Sequence, residues 1–221
     1  MGRGNGPSDE RIVAALLDRH GTTYADEAGI KLERGTPAAL WQLLVLSILL
    51  SARIRASLAV AAAKAVKQEG WTTARKLSES RWERRAKVLN EAGYARYDER
   101  TATMLGDTAD LVLDDYGGDL RRLREAAGRD VAAERRLLKR FKGMGDVGAD
   151  IFLREAQAVW DEARPSFDRR AIDAAGQLGL AKDPRRLARS LGDRETARLA
   201  AALIRAGLAR DFDEIRAAAA R

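Results

Sequence analysis

The stretch Leu137-Leu138-Lys139-Arg140-Phe141-Lys142-Gly143-Met144-Gly145-Asp146-Val147-Gly148-Ala149-Asp150 reads as two helices joined by a tight glycine hairpin. Charged and apolar residues alternate at helical spacing up to Phe141. Gly143 and Gly145 then break the helix, because glycine accepts a positive φ at little cost. Asp146 is placed to cap a second helix whose core face is Gly148, Phe152, Ala156 and Val159. The chemistry such a hairpin suits is anion binding. Without a Cβ at Gly143 and Gly145, backbone N–H groups approach a phosphate closely, and the helix N-terminus favours negative charge. Lys139, Arg140 and Lys142 add positive charge around the turn. The alternative is a plain helix–helix corner with a glycine cap.

The composition points the same way. Forty basic residues against 33 acidic ones give a net charge of +7, which favours a polyanionic partner, nucleic acid first. The alternative is a solvated, arginine-rich surface, since the charges are mixed along the chain. The chain has no cysteine, which excludes disulfides, thiol nucleophiles and thiolate-held clusters. The single histidine, His20, leaves no basis for a His-based zinc site or a Ser-His-Asp triad; it ends a charged helix. Met1 to Ser8 is glycine-rich and reads as frayed, without the apolar core of a signal peptide. Leu43 to Leu50, the longest apolar run, is too short to span a bilayer. A soluble, cytoplasmic, monomeric protein of 221 residues is expected, with no membrane partner.

Along the chain the periodicity is helical throughout. Ser8 caps a first helix with Ile12, Val13, Leu16 and Leu17 on one face, and Thr36-Pro37 starts a second that is apolar nearly all round. Ile54 to Val66, Thr73 to Ser80, Arg81 to Asn90 and Tyr97 to Tyr116 follow as helices, the last ended by Gly117-Gly118. Leu120 and Leu123 read as a short turn, and Glu134 to Phe141 opens the hairpin. Ile172 to Leu178, a start at Asp183-Pro184, Thr196 to Gly207 and Phe212 to Ala220 complete the set. No alternating strand pattern runs beyond a few residues, so the fold class is all-α.

Phe141-Lys142-Gly143-Met144-Gly145-Asp146-Val147-Gly148-Ala149 resembles the helix-hairpin-helix of the endonuclease III (HhH-GPD) superfamily of DNA glycosylases, whose pattern is Leu-Pro-Gly-Val-Gly-x-Lys-x-Ala. That family places a catalytic aspartate after the second helix and a short loop. Pro165-Ser166-Phe167-Asp168-Arg169-Arg170 stands at that place and resembles the family's Val-Asp-Thr-His segment. Leu49-Leu50-Ser51-Ala52-Arg53 resembles the family's Leu-Leu-Ser-Ala-Gln corner except at its last residue, and Gly93-Tyr94 resembles a further corner. The resemblance runs from Pro37 to Leu178. It implies a two-lobed helical glycosylase fold: a central lobe, 35–155, ending in the hairpin, and a second lobe built from 9–34 and 156–221. The hairpin and Asp168 would lie at the mouth of the cleft between them.

The resemblance further implies a monofunctional DNA glycosylase of base excision repair acting on double-stranded DNA. Asp168 would be the catalytic residue, stabilising the sugar cation and orienting water; its alternative role is to cap the helix that follows. Asp150 and Asp173 are weaker candidates, Asp150 reading as solvated. DNA contacts fall to Arg53, Lys139, Arg140, Lys142, Gly143, Met144, Gly145, Val147 and Gly148. Arg53 either reaches into the duplex or simply begins the next helix. Bifunctional relatives carry a lysine where Val147 stands, so a lyase step is not expected. The pattern from Gly143 to Asp150 is also similar to that of the methyl-CpG-binding-domain thymine glycosylase, which lacks that lysine. No iron–sulfur cluster is expected; several relatives hold a monovalent cation, Na+ or K+, on hairpin backbone carbonyls, and the equivalent positions here are Lys139, Phe141 and Met144. Trp41, Tyr24 and Trp160 are candidate pocket walls or core. By similarity the first substrate is a damaged or mismatched pyrimidine, uracil or thymine, with altered purines next. The other readings are a non-catalytic DNA-binding hairpin protein, a bifunctional enzyme using another lysine such as Lys142, and a helical module for protein interaction.

Overall fold

A computed structural model describes residues 8–221, and among these the regular structure is entirely helical. The frayed lead expected from Met1 to Ser8 lies, Ser8 apart, outside the described residues. Helix starts follow side-chain caps. Ser8 accepts the Arg11 N–H at the head of α1 (Asp9–His20). Thr23 caps α2 (Tyr24–Glu27), and Thr36 accepts the Ala39 N–H at the head of α3 (Pro37–Leu50). α4 (Ala56–Gln68) begins two residues later than its pattern suggests, because Ser51 to Arg55 form a non-helical corner. α5 (Ala74–Ser78), α6 (Trp82–Leu89) and α7 (Asp98–Tyr116) follow, with Gly93 at φ +83° in the turn between α6 and α7. Gly117, at φ +60°, closes α7.

Two expectations need correction. Leu120 and Leu123 sit on a helix, α8 (Leu120–Ala126), because Asp119 accepts the Arg121 N–H at 2.9 Å. The first hairpin helix, α9 (Val131–Leu138), starts three residues before Glu134, because Asp130 accepts the Ala133 N–H at 2.7 Å. The remaining helices are α10 (Asp146–Ala156), α11 (Arg169–Gln177), α12 (Pro184–Leu187), α13 (Asp193–Ala209) and α14 (Phe212–Ala219).

α3 is apolar round its whole circumference and runs through the interior; Leu43, Leu44 and Leu46 are fully buried. Truncating one of these leucines to alanine removes about 2–5 kcal/mol. α4 packs on α3, while α5 and α6 pack on α7. The N-terminal α1 lies against α13 and α14, and α11 lies against α13. α10 touches both groups, packing on α3 with one side and on α13 with another. The segment that decided the sequence reading is therefore the wall shared by both sets of helices. Among the described residues no helix is long and apolar enough to cross a membrane.

Candidate functional site

The hairpin is pinned from below and open above. Phe141 and Met144 are buried, Phe141 edge-on to Tyr116 with ring centroids 6.4 Å apart, and the Met144 N–H closes the turn on the Phe141 carbonyl at 3.1 Å. Gly143 has φ +86°, which makes glycine the residue of choice there. Gly145 is different: its φ is −74°, and a Cβ added there would meet nothing within 4 Å. Nothing in the fold asks for glycine at 145. Gly148 is buried, and a Cβ there would come within 2.6 Å of Ser51 Oγ, so its absence lets the first turn of α10 close onto the Ser51–Arg55 corner. Asp146 does not cap α10. It is the first helical residue, Gly145 is the cap residue, and no side chain caps the first turn. The Asp146 carboxylate instead takes Lys139 at 2.8 Å and Arg135 at 3.3 Å, which hold it below the usual carboxylate range. Val159 lies beyond the end of α10 and is only half-buried, whereas Phe152 and Ala156 form the expected core face.

Beside the hairpin opens a cleft of about 1020 Å³, at the upper end of the range for small-molecule sites. Its walls are the Ser51–Arg55 corner, the side of α10 that carries Val147, Asp150, Ile151 and Arg154, the Asp168–Arg170 segment, and Ile204 and Leu208 of α13. Asp168 caps α11, its Oδ1 accepting the Ala171 N–H at 3.0 Å. Its Oδ2 accepts Arg154 Nη1 at 2.8 Å, and Arg154 is 3% exposed. The segment leading to Asp168 is fixed by Gln157, which accepts the Ser166 N–H at 2.8 Å and donates to the Ser166 carbonyl at 2.9 Å. Asp168 is thus an ion-paired carboxylate held on two sides at the edge of an apolar cleft.

The structure separates the sequence-derived candidates. Arg53, Val147 and Asp168 line one cleft, and Val147 is 49% exposed. Lys139, Arg140 and Lys142 lie off the cleft, and each faces a carboxylate: Asp146, Asp115 and Asp107, at 2.8, 2.8 and 2.7 Å. Such exposed pairs contribute little, so phosphates can displace the carboxylates. Met144 and Gly148 are buried and offer a partner no side chain. Arg53, Arg55 and Arg170 have no carboxylate partner among the described residues, and all three sit at the cleft. Trp41 and Trp160 are core: the Trp41 indole donates to the Trp71 carbonyl, and Trp160 packs edge-on to Phe152 at 5.3 Å. Tyr24 alone of the three aromatics reaches the cleft. Asp150 is not simply solvated; it pairs with Arg135. His20 ends α1 and meets Asp211 at 2.8 Å.

Arg154 and Gln157 are the functional residues that sequence reasoning missed. Their signal is a run of polar residues, Arg154, Glu155 and Gln157, on a helix otherwise apolar where it packs; all three are buried. Glu155 accepts the backbone N–H groups of Tyr24 and Ala25 at 3.3 and 2.9 Å, and burial pushes its carboxyl up. Behind the hairpin, Glu134 is fully buried with neither carboxylate oxygen partnered. Burial, and then the nearby Glu162, push Glu134 up to about 8. Burial opposes ionisation of Glu162, but Arg124 outweighs it and holds Glu162 down at about 2.

No family model matches the chain, and neither a curated protein nor a solved structure does so.

Proposed function

We propose that the chain is a monofunctional DNA glycosylase that removes a damaged or mismatched base from double-stranded DNA, built on the two-lobed helix-hairpin-helix plan its motifs resemble. The observation that supports this most is the meeting of Asp168, Val147 and Arg53 on one cleft from three separate parts of the chain. In this reading the arginines at the cleft and the open turn at Gly145 take DNA phosphates, and the target nucleotide swings out of the stack into the cleft. The C1′–N bond breaks with its electron pair going to the base. The sugar becomes an oxocarbenium ion, which the Asp168 carboxylate stabilises. Water adds to C1′ and releases its extra proton to the base or to solvent. Val147 has no amine with which to attack C1′, so the product is an intact abasic strand.

A monovalent cation fits the same reading. The Phe141 carbonyl accepts one N–H and keeps a second lone pair, so Lys139, Phe141 and Met144 would hold the ion with backbone oxygens and tie the turn to a phosphate. Lesion-bearing duplexes incubated with the protein and then treated with hot alkali test the reading. Strand breaks only after alkali, abolished in Asp168→Asn, are expected; no break with any lesion would refute it. One observation favours a second reading, a non-catalytic DNA-binding protein: Asp168 is fully accounted for as a helix cap and as the partner of Arg154. That reading predicts binding without excision.

A further inference from the structure

Between the charged side chains at its edge, Arg53, Arg55, Asp168 and Arg170 among them, the cleft offers an aliphatic surface that includes Leu50, Ile54, Ile204 and Leu208. Such a surface holds a base by shape and distinguishes poorly between bases of similar size. Ser51, the lining residue with an aliphatic hydroxyl, donates it to the Ser47 carbonyl at 2.6 Å. The remaining hydroxyl is that of Tyr24. This residue is 4% exposed and lines the cleft, and among the described residues its hydroxyl has no hydrogen-bond partner. The rest of Tyr24 is clamped: its N–H donates to Glu155, Thr23 caps its helix, and the Arg205 guanidinium lies 4.2 Å from the ring centroid. The Arg154 guanidinium stands 6.0 Å from the same centroid, and Arg205 is itself held by Glu27. Tyr24 thus brings to the cleft a rigidly held phenol whose hydroxyl is free to bond a ligand.

Resting on the glycosylase reading, the geometry points to Tyr24 as the base-reading residue of the cleft, its hydroxyl donating to a carbonyl oxygen of an uncharged base. Burial raises the phenol above its ordinary value, which keeps the proton on the oxygen and the group a donor. The same clamp excludes another class. A cationic, N-alkylated purine is held by open aromatic faces. Here the ring that reaches the cleft already has the Arg205 and Arg154 guanidinium groups beside it, so a cationic base meets two like charges there. Uracil and hypoxanthine carry the acceptor and no charge; protonated-like 3-methyladenine carries the charge and no carbonyl.

The experiment is single-turnover excision from one duplex sequence bearing uracil, hypoxanthine or 3-methyladenine, with wild type and Tyr24→Phe. The variant keeps the ring and its guanidinium contacts and removes only the hydroxyl. Wild type is expected to release uracil or hypoxanthine at least about tenfold faster than 3-methyladenine, and Tyr24→Phe to lower the faster rate about tenfold or more, the range of one specific hydrogen bond. Affinity for a duplex with an abasic-site analogue, which has no base to read, is expected to be unchanged in Tyr24→Phe. Faster release of 3-methyladenine, or an unchanged rate in Tyr24→Phe, overturns the assignment of Tyr24 while leaving a glycosylase. Absence of release from every duplex overturns both.

Discussion

Asp168→Asn separates the two roles that the geometry gives this side chain. Asparagine caps a helix as well as aspartate, so the bond from the Ala171 N–H at 3.0 Å survives. What is lost is the anionic partner of Arg154, a guanidinium only 3% exposed. A charged hydrogen bond of this kind contributes about 1.5–3 kcal/mol, so melting is expected to fall by about 3–12 °C in a chain of this size. Excision is expected to fall at least about a hundredfold, equivalent to about 2.7 kcal/mol of transition-state stabilisation. Adding Arg154→Met removes the orphaned charge. Replacing both members of a buried pair is close to neutral, so the double variant should regain most of the lost melting temperature. It should regain none of the excision. Calorimetry and single-turnover excision on the four proteins of this cycle give both readouts. Excision within threefold of wild type in Asp168→Asn, or recovery of excision together with stability in the double variant, would refute the catalytic role and leave Asp168 a structural anchor.

Duplex binding should weaken steeply with salt, each displaced phosphate counterion adding about −0.9 to the slope of log K against log salt; Gly145→Ala should weaken it while lowering melting only modestly, because the fold has room for the methyl group and alanine is merely a poorer helix cap than glycine, and equal binding would remove the phosphate seat from Gly145. Wild type should give no borohydride-trapped complex on abasic DNA, whereas Val147→Lys should give some without loss of fold, since residue 147 is half exposed at the cleft; efficient trapping by wild type would show that another lysine serves as nucleophile. Glu134 has its folded pKa raised from 4.5 to about 8, so its stabilisation is full below about pH 4.5 and is lost as pH rises through 8. Glu134→Gln should therefore be more stable than wild type at pH 8.5, by about 1–3 kcal/mol, with the difference vanishing toward pH 4.5; a constant difference in unfolding free energy would show that ionisation is not its cause.

Caps and glycine stops were legible in the sequence because they act within a few residues. Ser8, Thr36-Pro37, Asp168 and Gly117 work through bonds to neighbours three or four positions away. Asp119 and Asp130 are the same device, each accepting an N–H two or three residues on. The site was legible only where a motif named it. Arg154 reads as one more helix charge until α10 and the loop to α11 are seen to bring it onto Asp168. Glu155 meets the N-terminus of α2, and the three hairpin cations meet carboxylates on α7 or α10, through contacts no local pattern encodes. Trp41 and Trp160 were ambiguous for a related reason: composition says that a tryptophan is buried, and only packing says against what.

α10 holds the open turn at Gly145 at its head and the Asp168 loop at its tail, the latter through Arg154 and Gln157. Eleven helical residues span about 16 Å, a length set by backbone hydrogen bonds and not by the side chains around them. The helix therefore works as a caliper. In the proposed glycosylase reading, a phosphate gripped at one jaw would preset where the sugar two or so nucleotides along the strand stands relative to the carboxylate at the other. Loosening of α13 or of the Ser51–Arg55 corner changes how well a base fits without changing that separation. On that reading, pocket shape could drift from one substrate to another while the geometry about Asp168 stays fixed.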